Sequence, residues 1–530
     1  MSCQGSTVLG ASLVVDALVG AGVSHVFSLS GNQILSVYDA TIGRGVRLIH
    51  TRHEAAAVHM ADAWGRLTER PGVALVTAGP GHLNAVGALY TALMAESPVV
   101  LLSGHAPRAQ RGRGAFQEID QAAVARPVTK ASWVVESAER LGVDVTEALR
   151  LAASGRPGPV HLSLPGDLLE TRVDAPAPRP APPLPPPAID ASRIDIALDL
   201  LAKAERPLIL SGPAMGRAHR RAAVERLASA TGIPALVIES PRGVHDPALR
   251  GAAAALAATD MVLLLGKPLD FSLRFGEAFA RGCRVVSAGE PGARGDRVTV
   301  ALDGDTTAVA GALAAGAPGR AWGAEAWRDE VERLRSTVPP AWREARASPR
   351  APMHPLRVCA ALERPIADGA IFVGDGGEFG QWAQAGLEAE CRLINGLSGS
   401  IGSAIPMALG AAVARPDRRV LAVLGDGTFG FHPLEFDTAV RHGLPVVVVV
   451  GNDARWNAEH QLQLKHYGVD RAIACDLLPS RYDRVVEALG GHGEHVERPE
   501  QLEPALARAF ASGKPACVNV IIDGVAAPSF

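Results

Sequence analysis

A chain of 530 residues is too long for one small module and long enough for three or four domains with sizeable cores. Its 52 Lys and Arg against 55 Asp and Glu leave a formal charge of −3, which excludes the strong positive footprint of a nucleic-acid or anionic-membrane binder. Aromatic residues make up 4% of the chain while small aliphatic residues dominate, a composition suited to helices packed closely on parallel strands.

The first ten residues show no basic stretch followed by an apolar one, and no run of about 18 uncharged apolar residues occurs, so neither a signal peptide nor a membrane span is expected. Cys3, Cys283, Cys359, Cys391, Cys475 and Cys517 are scattered without C-x-x-C spacing. That argues against a zinc site or a disulfide framework and for a reducing, cytoplasmic setting.

In chain order, residues 73–77 and 98–103 read as the first buried strands. Segment 171–191 follows, with eight prolines between positions 176 and 187; it reads as an extended interdomain linker, the alternative being a ligand for a partner's aromatic groove. Strands are expected next at 207–211, 235–238 and 261–265, then a softer boundary between 316 and 355, then strands at 370–373, 420–424, 445–450 and 517–522. Short apolar strands alternating with helix-length amphipathic stretches specify an α/β protein of three doubly wound parallel-sheet domains. Their expected extents are 1–170, 192–335 and 353–530.

The run 420–428 is a buried strand ending in Gly425-Asp426-Gly427. Glycines let backbone approach an anion, and the carboxyl end of a parallel strand is where such sheets bind ligands. About two dozen residues later a second apolar run ends in Gly451-Asn452-Asp453. If the two strands are neighbours, Asp426 and Asp453 converge as oxygen ligands for a hard cation such as Mg²⁺. Earlier in the chain, Arg52-His53-Glu54 opens an alanine-rich helix, where an acid also complements the dipole.

These motifs resemble the thiamine-diphosphate-dependent enzymes of the acetolactate synthase, oxalyl-CoA decarboxylase and 2-hydroxyacyl-CoA lyase group, and the resemblance covers essentially the whole chain. It implies a pyrimidine-binding, a central and a diphosphate-binding domain in that order, with thiamine diphosphate and Mg²⁺ as cofactors. By position it implies Asp426, the side chain at 453 and the Arg455 backbone carbonyl as metal ligands. The family usually has Asn where this chain has Asp453. Glu54 matches the carboxyl that meets the cofactor's aminopyrimidine nitrogen, and Gln117, in Ala115-Phe-Gln117-Glu, matches a residue facing the reacting carbon. Further cofactor positions are Pro80 and Asn84 in the 77–84 turn, Gly377, Glu378 and Phe379, Gly399 with Ile401 at the wedge beneath the two rings, and Gly425, Gly427 and Thr428. Asn32, Gln33, His82 and Trp456, with Gln117, are the candidate substrate-lining side chains.

The implied activity is C–C bond formation or cleavage on a 2-keto acid, as in an acetolactate-synthase-like carboligase or decarboxylase. Pro268 stands where acetolactate synthases carry a carboxylate-binding arginine and Leu462 where they carry a tryptophan, which weighs against strict acetolactate synthesis, while segments 269–276 and 482–523 resemble the 2-hydroxyacyl-CoA lyase branch, the alternative. A second alternative, a fold that has lost catalysis, is weighed down by Glu54, Asp426 and the oxygen ligand at 453. FAD is possible but not favoured, because Ser211-Gly-Pro-Ala-Met-Gly216 is not a G-x-G-x-x-G turn. The resemblance also implies a homodimer or homotetramer with active sites at the subunit interface, a small-molecule substrate, and no nucleic-acid or membrane partner.

Overall fold

The computed structural model describes residues 7–174, 188–289 and 297–528, so the proline run at 175–187 lies outside the described residues. It contains three parallel sheets flanked by helices. The first holds β1 (His25–Ser28), β2 (Arg47–His50), β3 (Gly72–Val76), β4 (Val99–His105), β5 (Ala131–Val134) and β6 (Val160–Pro165), in spatial order β2-β1-β3-β4-β6-β5. The second holds β7 (Pro207–Ser211), β8 (Ala235–Val237), β9 (Met261–Leu265), β10 (Arg284–Gly289) and β11 (Val298–Asp303), in order β8-β7-β9-β10-β11. The third holds β12 (Ile371–Gly374), β13 (Arg392–Ile394), β14 (Val420–Gly425), β15 (Val446–Asn452), β16 (His492–Val496) and β17 (Ala516–Ile521), in order β13-β12-β14-β15-β17-β16. The first and third sheets therefore share one strand order, displaced along the chain.

The strands expected at 207–211 and 261–265 coincide with β7 and β9, and the other expected strands agree within two residues at either end. Successive side chains of each strand face opposite sides. Val420, Ala422 and Leu424 thus enter one core with Ala74, Val76, Val99 and Leu101 of the first sheet, while Leu421 and Val423 enter another with Phe372 and Val518. One apolar layer consequently joins the first and third sheets. It is built around α1 (Glu54–Thr68), α2 (Pro80–Met94) and a later helix, Ala404–Ala414. The crossing of that helix over α1 requires Gly410, where a Cβ would lie 2.5 Å from the Met60 carbonyl oxygen. Among the described residues no helix is long and apolar enough to cross a membrane, and the five described cysteines are free.

Candidate active site

The expected neighbour relation of the two acid-bearing strands is present: β14 pairs in parallel with β15, placing Gly425 opposite Gly451. Asp426 and Asp453 follow those two glycines and line one cleft together with Gly377, Glu378, Ile401 and Trp456. Burial first, and the facing carboxylate of Asp453 second, push the pKa of Asp426 up to about 7. Burial likewise lifts Asp453 to about 6. Asp426 is 2% exposed and its Oδ2 has no hydrogen-bond partner. Two crowded carboxylates, one with an orphaned buried oxygen, are a donor set that fits a hard divalent cation. Arg455 lines the cleft too, and its Nε donates to Asp476 Oδ1 at 3.0 Å in a solvent-exposed pair.

The opposite wall begins where β12 ends. Gly377, with φ of 81°, opens α3 (Gly377–Gly386), and a Cβ there or on Gly425 would project into open space. A helix start faced by bare glycine backbone suits an anionic group such as a diphosphate. Phe379 is buried against Gly451, and Glu378 accepts a hydrogen bond from the Ala527 backbone N–H and faces Arg242 at 3.7 Å. Burial raises the pKa of Glu378.

Asp375 holds this wall to the next loop. Fully buried, it accepts from the N–H groups of Gly376 at 2.7 Å, Gly402 at 3.0 Å and Ala404 at 3.0 Å, the last beginning α4 (Ala404–Ala414). The loop so clamped carries Gly399, with φ of 67°, and Ile401, whose side chain crowds Gly376. Sequence reasoning missed Asp375, although an acid closing an apolar strand is the same signal that singled out Asp426.

Glu54, Asn84 and Gln117 come together elsewhere, at the carboxyl ends of the first sheet. His53 caps α1 by accepting from the Ala55 N–H at 3.1 Å, which leaves Glu54 on the first turn, 8% exposed. Asn84 Nδ2 donates to Glu54 Oε2 at 3.1 Å, and Gly81 beside Pro80 lets the turn at 77–84 close over Glu54. Gln33 Nε2 donates to Gln117 Oε1 at 2.9 Å while Gln33 Oε1 accepts from the Thr77 hydroxyl, and Asn32 is exposed beside it. Gln121, also missed, is fully buried and pins the same turn by accepting from the Gly79 N–H at 2.9 Å. Among the described residues none before Gly376 lines the acid-bearing cleft, so Glu54 and Gln117 are not part of its wall in one copy of the chain.

His82, a candidate substrate-lining side chain, stands in an interior polar cluster. It is fully buried, with Nδ1 2.9 Å from Ser103 Oγ and its ring 4.5 Å from that of His161. Burial lowers its pKa to about 4, so it is a neutral member of an interior polar cluster. In the central sheet, the turn after β7 is closed by Glu96 from the first sheet, which accepts from the Ala214 N–H at 2.9 Å.

Comparison with known families gives this geometry its context. Residues 9–124 match the thiamine pyrophosphate enzyme N-terminal TPP-binding domain, and residues 375–520 match the C-terminal TPP-binding domain. A probable acetolactate synthase of Mycobacterium bovis is 38% identical over 98% of this chain and 96% of its own length. The chain belongs to the thiamine pyrophosphate enzymes. Other members similar to it are the 2-hydroxyacyl-CoA lyase 2 of Homo sapiens, 31% identical over 97% of this chain and 90% of that protein, and an acetolactate synthase of Bacillus subtilis, 31% identical over 97% and 93%. As a thiamine-pyrophosphate-dependent enzyme, the chain carries its two cofactor-binding domains at the first and third sheets.

Proposed function

We propose that this thiamine pyrophosphate enzyme uses Mg²⁺ and makes or breaks a C–C bond at the carbonyl of a 2-keto acid, as an acetolactate-synthase-like carboligase or decarboxylase. The observation that carries the reading is the pair of acids, Asp426 and Asp453, at adjoining strand ends, with an orphaned oxygen aimed beside the bare backbone of Gly377 and Gly425. In this reading Asp426, Asp453 and the Arg455 backbone carbonyl hold the metal. Gly377, Glu378, Phe379, Gly425, Gly427 and Thr428 form the diphosphate wall, and Ile401 supports the two rings from the loop that Asp375 clamps. Bound thiamine diphosphate supplies an acidic ring carbon and an electron sink. Glu54, shielded from water and oriented by Asn84, holds a proton at the aminopyrimidine nitrogen, and Gln117, oriented by Gln33, faces the reacting carbonyl.

Because the acid-bearing cleft has no wall from the first sheet, the active unit in this reading is at least a homodimer, with a homotetramer as the larger possibility. Glu54 of one copy then faces the cleft of a second. We take residues 1–170, 192–335 and 353–530 as the pyrimidine-binding, central and diphosphate-binding domains of a cytoplasmic protein without an FAD requirement. A 2-hydroxyacyl-CoA lyase reaction is the second reading. It is supported by Pro268, where acetolactate synthases carry a carboxylate-binding arginine, by Leu462 in place of their tryptophan, and by the similarity to 2-hydroxyacyl-CoA lyase 2.

The test is calorimetry of the purified protein with thiamine diphosphate, with and without Mg²⁺, followed by product analysis on panels of 2-keto acids and 2-hydroxyacyl-CoAs. Metal-dependent binding and turnover of one panel are expected. Absence of cofactor binding overturns the proposal.

A further inference from the structure

Two aromatic rings pack against each other, each laid on a glycine: Trp456, which lines the acid-bearing cleft, and Phe431 beside it. Phe431 lies over Gly402, where a Cβ would come within 2.4 Å of its ring, directly after the Ile401 wedge. Trp456 lies over Gly427, where a Cβ would come within 2.8 Å of its indole, on the metal side. The two rings meet edge to face at 6.4 Å and 87°, the geometry aromatic pairs prefer. Phe431 is nonetheless 51% exposed, and so is Leu434 three residues on. A phenyl ring held against backbone by one contact and left half in water beside a reaction cleft is apolar surface still to be covered.

The charge around it narrows what can cover it. Among the described residues lining the cleft Arg455 is the only basic side chain, and its Nε is paired with Asp476. The remaining charged side chains there are the acids Glu378, Glu459, Asp426 and Asp453. A substrate substituent ending in a carboxylate would meet a wall in which acids outnumber the basic side chain, whereas a hydrocarbon would cover the rings.

Resting on the function proposed above, we infer that Phe431 and Trp456 form the specificity wall of this enzyme and select a carbonyl substrate whose substituent is an uncharged hydrocarbon of several carbons, over a methyl group or a chain ending in a carboxylate. The inference holds for either reaction, because a 2-keto acid and a 2-hydroxyacyl-CoA both carry that substituent on the reacting carbon or beside it. Each methylene brought out of water contributes about 0.8 kcal/mol, a factor of about four in kcat/KM. Three additional methylenes, partly covered, correspond to roughly tenfold or more.

The experiment uses the holoenzyme with saturating thiamine diphosphate and Mg²⁺, and compares kcat/KM for pyruvate, 2-ketohexanoate and 2-ketoglutarate and for 2-hydroxyacyl-CoAs of three and six carbons. In the series that turns over, the hydrocarbon substrate is expected to exceed the short one by tenfold or more and to exceed 2-ketoglutarate where that applies. Phe431→Ala should bring the long-to-short ratio within about threefold of unity, chiefly through KM, and Phe431→Leu should restore most of it. Cofactor-induced thermal shift and sedimentation accompany each variant. Turnover with no chain-length preference, a preference for pyruvate or 2-ketoglutarate, or a Phe431→Ala variant that keeps the wild-type ratio overturns the wall. Dissociation of the assembly in Phe431→Ala, with Phe431→Leu intact, reassigns the exposed ring to a subunit contact and also overturns it. Cofactor binding without turnover in either series strikes the proposed reaction itself and removes the inference with it.

Discussion

Replacing Asp375 tests whether the wedge loop is held by one buried carboxylate. The side chain is fully buried and accepts three backbone N–H bonds, from Gly376, Gly402 and Ala404. In Asp375→Ala all three donors lose their acceptor. At about 1–3 kcal/mol for each unsatisfied buried donor the gross loss is of order 5 kcal/mol. Removal of a carboxylate whose pKa is raised by burial returns part of that desolvation cost. A net loss of about 3 kcal/mol remains, which for a domain of this size corresponds to a fall of roughly 6–12 °C in unfolding temperature. Asp375→Asn should fare better than Ala, because the oxygen shared by Gly376 and Gly402 can stay while an amide N–H replaces the one facing Ala404. The assay is thermal unfolding by near-UV circular dichroism, with and without thiamine diphosphate and Mg²⁺. Both variants should lose part of the cofactor-induced shift, since a loop populating its binding geometry only part of the time lowers apparent affinity in proportion. An Asp375→Ala protein with wild-type unfolding temperature and cofactor affinity refutes the clamp.

Glu54→Gln should leave cofactor binding largely intact and lower turnover about a hundredfold or more, measured under cofactor saturation; an unchanged rate removes Glu54 from its role. Asp426→Ala should abolish Mg²⁺-dependent retention of the cofactor through gel filtration, and retention like that of the wild type sinks the metal assignment. Buried His59 and His82 have folded pKa values of about 4 and His432 of about 3, all through burial, so each of the three should weaken the fold in mild acid. Unfolded, these imidazoles bind protons near pH 6.5, so at these three sites the unfolded chain takes up more protons between about 6.5 and 4 and their share of stability drops as pH falls through that window. Each histidine's share approaches about 3 kcal/mol at pH 4, against the opposing share of Asp426 and Asp453, whose raised pKa values favour the folded state as pH falls; His82→Gln should therefore lose less stability than the wild type between pH 7.5 and 4.5, and an equal loss contradicts it. Gly410→Ala should lower the unfolding temperature markedly, since its methyl group would sit 2.5 Å from the Met60 carbonyl oxygen.

The strands most legible in the sequence were those with unbroken apolar runs, such as Met261–Leu265 and Val446–Asn452. Strands His25–Ser28, Arg47–His50 and Val160–Pro165 were not singled out, because histidine, serine and arginine interrupt the pattern. Those polar groups are satisfied by distant partners, as His161 is by Ser132 at 2.8 Å, and no local window of sequence carries that information. The same holds at the site. Asp426 and Asp453 were legible because each closes an apolar strand beside glycine. Asp375 carried the same strand-end signal and was passed over, whereas Gln121 and Phe431 meet their partners only through folding. The ring of His82 packs inward against His161, a neighbour its turn motif does not reveal.

The apolar layer shared by the first and third sheets has a consequence during synthesis. Ala57, Met60 and Ala61 on α1 leave the ribosome early, yet partners of theirs such as Met407, Ala408 and Ala411 are more than 300 residues away in the chain. At roughly 5–20 residues per second, that interval lasts on the order of 15–70 s. Throughout it the nascent chain presents an oily helix face that nothing of its own can yet bury. Yield of this enzyme in a heterologous host should therefore respond to holdase chaperones and to slowed translation more strongly than the equilibrium stability of the finished protein would suggest.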